Sequence, residues 1–131
     1  MEAEHYKTPK NLSDFVYDEN SDDSKIAQMF SFFDGDEYGK FYWVENKLSN
    51  RPDLHAFLLL DKLVPSVPIE GPTKYIPVLY SDIVSDAEQD EIYLGVKIKE
   101  LEKVITIEHV LELSRCGVMY NSEYDCLYMF A

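Results

Sequence analysis

The sequence predicts a single α+β domain, mainly antiparallel sheet with about three helices. Three observations predict it. At 131 residues the chain has the usual size of one domain enclosing one core. Hydrophobic residues make up 46% of it, with ten Tyr, seven Phe and one Trp, whereas acidic chains that stay disordered are poor in aromatics. Finally, hairpin-like pairs of apolar runs are mixed with helical periodicity, without the strand–helix–strand rhythm of a parallel sheet. No internal repeat is visible.

Residues 1–20 are polar and acidic and read as a partly mobile N-terminal arm, with Phe15, Val16 and Tyr17 available to pin it; residues 21–131 form the domain. Ile26, Met29, Phe30 and Phe33 recur at three- and four-residue intervals, which predicts a helix with Ser21 or Asp22 as its cap, acids in its first turn and Gly35 at its end. YGKFYWVE, residues 38–45, is aromatic and β-branched and predicts a strand. In LSNRPDLHAFLLLDKLV, Asn50 can cap a helix, Pro52 suits its first turn, and its apolar surface runs nearly all round. Three prolines and Gly71 make 65–72 a loop. YIPVLY predicts a short edge strand, residues 81–91 an acidic loop, and IYLGVKI a further strand. Thr106 is placed to cap a third helix that Gly117 terminates. VMY and DCLYMF read as a hairpin, the second strand apolar on both faces and so inside the sheet.

Charge is the strongest functional signal. Twenty-five acids against twelve Lys and Arg give a net charge of −13. Residues 1–37 carry −7, residues 38–80 carry +1 and residues 81–131 carry −7. Solubility needs far less charge, and a field of one sign favours a partner of the opposite sign. The expected partner is a basic protein. No basic segment suits nucleic-acid phosphates or an anionic membrane, and no apolar run reaches the ~18 residues of a bilayer span. Cys116 and Cys126 sit in apolar stretches, as free thiols of a reducing compartment would, and the expected address is cytoplasmic.

Catalytic motifs are missing: there is no Gly-x-Ser-x-Gly, phosphate-binding glycine loop, His-Glu-x-x-His or dinucleotide fingerprint. The chain is therefore read as a non-enzyme without cofactor. Residues 34–45 resemble an EF-hand calcium loop, with Asp34, Asp36, Gly39 and Glu45 at the first, third, sixth and twelfth positions. Tyr38 occupies the fifth position, where a short oxygen ligand belongs, so calcium binding is the alternative and not the first reading. His109 and Glu112 have metal-ligand spacing but lack further ligands nearby. His55 reads as a core-edge residue.

Tyrosines stand beside the acids, and tyrosine is enriched where proteins bind each other. The candidate partner-binding residues are Asp82, Asp86, Glu88, Asp90 and Glu91 with Tyr80 and Tyr93, followed by the cluster Asp18, Glu19, Asp22 and Asp23. A small, acidic, single-domain α+β chain of this type resembles the immunity proteins of bacterial toxin–immunity systems, including contact-dependent growth inhibition. The resemblance is one of type. It implies an inhibitor that blocks the active site of a cognate toxin domain, often a basic nuclease. A related reading is an acidic mimic of nucleic acid that inhibits a DNA-binding protein.

Overall fold

The computed structural model describes residues 11–65, 68–69, 79–80, 84–88 and 90–130. Among the described residues, four α-helices and six strands follow in order: α1 (Lys25–Phe33), α2 (Pro52–Leu63), β1 (Pro68–Ile69), β2 (Leu79–Tyr80), β3 (Val84–Glu88), β4 (Glu91–Leu94), α3 (Ile98–Glu102), α4 (Ile107–Arg115), β5 (Met119–Asn121) and β6 (Cys126–Phe130). Short 3-10 turns lie at Leu12–Asp14 and Phe41–Trp43. β3, β4, β6 and β5 form a four-stranded antiparallel sheet in that order, and β1 pairs with β2 apart from it. The α+β class holds, and β6 lies inside the sheet as its two apolar faces require.

One core joins helices and sheet. Ile26, Met29 and Phe33 of α1, Leu59 and Leu60 of α2, Leu101 of α3 and Val110 and Leu113 of α4 meet Leu94, Leu127 and Met129 of the sheet. The 3.6-residue and two-residue periods both converge on it. Each such side chain contributes ~1.5–3 kcal/mol by leaving water.

Helix ends differ from expectation in instructive ways. α1 is capped by Ser24, whose hydroxyl accepts from the Ala27 N–H at 3.2 Å, and its first turn holds no acid. A carboxylate still reaches that positive end, because Glu102 at the end of α3 accepts from the Ile26 N–H at 3.0 Å. α2 begins after Arg51, not Asn50, and Arg51 makes no side-chain cap; Pro52 needs no donor partner at the first position. α4 has its Thr106 cap, doubled by His109, whose Nδ1 accepts from the Thr106 N–H at 3.0 Å.

Two strand expectations fail. Residues 41–43 form a 3-10 turn instead of a strand, because successive i+3 bonds close the chain locally: Lys40 N to Glu37 O, Trp43 N to Lys40 O and Val44 N to Phe41 O. IYLGVKI divides, its first half in β4 and Ile98 opening α3. Ile98, Leu101 and Ile105 keep helical spacing and all are buried. The stretch 11–23, expected to belong mostly to an arm, is tied to α1. Phe15 meets the Phe32 ring edge-on at 5.7 Å, and the Gln28 side chain bonds both the N–H and the carbonyl of Asp18 at 2.9 Å.

Candidate partner-binding surface

The sheet register builds the surface. Ile92 opposes Met129 on the core side, so the alternate pairs Glu91–Phe130 and Tyr93–Tyr128 stand on the outward face. Tyr93 lies 6.4 Å from Tyr128 and 6.0 Å from Tyr124, and Tyr128 lies 6.0 Å from Phe130, the last two contacts edge-to-face at 86°. That arrangement suits ring quadrupoles and fixes the rings as a rigid strip. Tyr124 is 64% exposed and Phe130 50% exposed, so the strip is open to solvent. A carboxylate is built into it, because the Tyr93 hydroxyl donates to Glu91 Oε1 at 2.7 Å. On the other face, Tyr120, the register partner of the core residue Leu127, donates its hydroxyl to Asp125 Oδ1 at 2.6 Å. Burial, then the Asp125 bond, raises the Tyr120 hydroxyl pKa, so this donor stays protonated at neutral pH. The β5–β6 turn is held by the Asn121 side chain, which accepts from the Tyr124 N–H at 2.9 Å, with Asp125 left-handed at φ 49°.

Phe130 continues this face into a groove of about 880 Å³ between α1 and strands β5 and β6. Phe30, Tyr38 and Tyr128 line the groove together with Asp23 and Asp34. Phe130 therefore joins the two acidic regions, as register partner of Glu91 and as a wall of the groove that holds Asp23.

Of the residues expected to bind a partner, Glu91 and Tyr93 fall on the strip and Asp90 in the exposed turn beside it. The expected loop over 81–91 is corrected: Asp86 and Glu88 belong to strand β3, opposite Tyr93 and Glu91 in the backbone register. Backbone pairing to β4 is what makes this stretch a strand. Tyr80 pairs with Pro68 in the separate two-stranded ribbon. Asp82 lies outside the described residues. Asp18, Glu19 and Asp22 are exposed around the start of α1, and of that cluster Asp23 alone lines the groove. Sequence reasoning missed Tyr128 and Phe130. Their signal was the split within β6 between rings on one face and Leu127 and Met129 on the other.

The EF-hand resemblance does not extend to geometry. Glu37, in the middle of that loop, is buried and accepts from the Arg115 Nε–H at 2.9 Å, while Arg115 also donates to the Trp43 carbonyl at 3.2 Å. Val44 is extended and Asn46 left-handed, so no exiting helix starts at Glu45. Among the described residues, no three side chains of the metal-ligating types converge, and Asp34, Asp36 and Glu45 do not form a cage. His109 and Glu112 are likewise separated in role. Glu112 takes the Nε2–H of His55, a residue fully buried and not at the core edge, whose Nδ1 accepts from the Leu48 N–H at 3.0 Å. The Cys116 thiol is pushed up to about 12 by burial and by the charge of Glu112, and burial also raises Cys126, so neither is an activated nucleophile.

No family, curated protein or solved structure matches this chain. No helix among the described residues is long and apolar enough to cross a membrane.

Proposed function

We propose that the protein is a binding inhibitor of the immunity-protein kind, which covers the active-site groove of a basic toxin domain with the outward face of its sheet. The observation that carries this reading is the ring strip Tyr93–Tyr128–Phe130, which joins carboxylates at both of its ends. Tyrosine rings give rigid contact area at small entropic cost, and neighbouring carboxylates take paired hydrogen bonds from arginine. A toxin groove that attracts phosphate attracts such a surface for the same reason. The function needs no chemistry of its own, only occupancy.

The test begins with any effector ending in a basic domain that is encoded beside this protein's gene. Co-expression is expected to protect cells, and binding is expected to slow as salt rises, since the screening length falls from ~10 Å at 0.1 M to ~3 Å at 1 M. A Tyr93→Ala/Tyr128→Ala variant that stays folded should lose protection. A neighbouring toxin that is neither bound nor inhibited, or a double variant that protects as well as the parent, would remove this reading.

A further inference from the structure

Three of the four described helices carry a base in the last turn: Lys62 in α2, Lys99 in α3 and Arg115 in α4. α1 carries none. The last carbonyls of a helix hold a partial negative charge that a nearby cation stabilises. Here the end is more negative still, because the residue that stops α1 is Asp34, left-handed at φ 50° and followed by Gly35 at φ 78°. Asp34 and Gly35 both line the groove, and among the described residues no Lys, Arg or His does.

The same groove is walled by rings. Phe30 lies on α1, Tyr38 just beyond it, and Tyr128 and Phe130 on the sheet. A negative helix end, two carboxylates and several ring faces in one cleft are complementary to a cation with a flat apolar surface. We infer that this groove seats an arginine side chain of the partner protein, its guanidinium on Asp34 and its plane against the rings. Arginine fits better than lysine, since its planar fork bonds a carboxylate through two N–H groups while stacking on an aromatic face. The inference rests on the reading of a basic protein partner and names the residue type which that partner presents to this cleft.

The probe is the peptide acetyl-Gly-Arg-Gly-Arg-Gly-amide, titrated into the ¹⁵N-labelled full chain. Its twin carries citrulline, which has nearly the same shape without the charge. Amide shifts are expected at residues 27–35 and 118–130, with the citrulline twin inactive. Asp34→Asn should weaken binding roughly tenfold, the loss for one hydrogen bond to a charged group. Asparagine tolerates the left-handed backbone, so the variant is expected to fold. Tyr128→Leu, which keeps bulk and removes the ring, should also weaken binding, whereas Glu108→Gln, an exposed acid away from the groove, should not. Shifts spread over the whole acidic surface, equal binding of the citrulline peptide, or equal effects of Asp34→Asn and Glu108→Gln would overturn the assignment. Should the peptide fail while Tyr93→Ala/Tyr128→Ala still releases the toxin, the groove assignment falls and the sheet-face reading stands.

Discussion

His55, Glu112 and Cys116 show how much a position's surroundings decide. Leu48 donates its N–H to His55 Nδ1, so the ring proton sits on Nε2 and is given to Glu112. Every polar edge of a fully buried imidazole is then satisfied, and the side chain can serve as core. Its neighbour in sequence logic, His109, is a helix cap instead. One helical turn beyond Glu112, Cys116 is held neutral by burial and by that carboxylate. Its folded-state pKa of about 12 lies above the ordinary 9.0, so the unfolded chain loses the thiol proton first. The contribution to stability is complete below the ordinary value and is lost as pH rises from 9.0 to about 12. The expected result is a steeper fall of unfolding free energy over that window in the parent than in Cys116→Ala, measured by urea denaturation at a series of pH values. Parallel curves would mean that the thiol ionises freely in the fold.

Among the elements, those with local signals were the legible ones. Thr106 with Gly117 bracketed α4, Pro52 opened α2, and the β5–β6 hairpin followed from two apolar runs around a polar turn. What escaped depended on distant partners. The aromatic run 38–45 has strand-forming residues but, among the described residues, no strand beside it; Glu37 instead reaches Arg115, 78 positions away, and the turn at 41–43 is held to α4 through the Trp43 carbonyl. β3 hid behind its carboxylates, since a solvated loop and a charged edge strand have the same composition. The candidate surface was legible only in part: Glu91 and Tyr93 were found, while Tyr128 and Phe130 required the register to show them beside each other. The Glu37–Arg115 pair gives this level its prediction. Glu37→Ala leaves a guanidinium almost buried without its carboxylate and should cost ~3–5 kcal/mol. Glu37→Ala/Arg115→Met should regain much of that loss in chemical denaturation. If the double variant is no more stable than the single, the ion pair is not the element that holds this turn.

For the whole molecule, charge is the governing quantity. A net charge of −13 on 131 residues repels itself, and the two acidic regions meet through Phe130 on one side of the protein. Sodium chloride should therefore stabilise the free protein, and it should weaken the binding to a basic partner proposed above. Between 0.05 and 1 M the expected gain is on the order of 1 kcal/mol, or a rise in Tm of about 3–4 °C by calorimetry. A Tm that does not move with salt would show that the acids are already compensated within the fold. Opposed responses of folding and binding to salt would support the proposed role of these charges in binding.

The central place of β6 also orders events in time. β3 and β4 are consecutive and can close a hairpin as soon as both exist, but the second edge of β4 and the inner edge of β5 both wait for residues 126–130. Glu91 meets Phe130 across 39 positions of chain, with α3, α4 and β5 made in between. During synthesis the helices can gather around α1 while the sheet stays split in two halves with open backbone edges. The last strand to be made thus joins the sheet, seals its core and assembles the aromatic strip in one step. A chain released before Cys126 would carry both acidic regions and still lack the aromatic strip that lies between them.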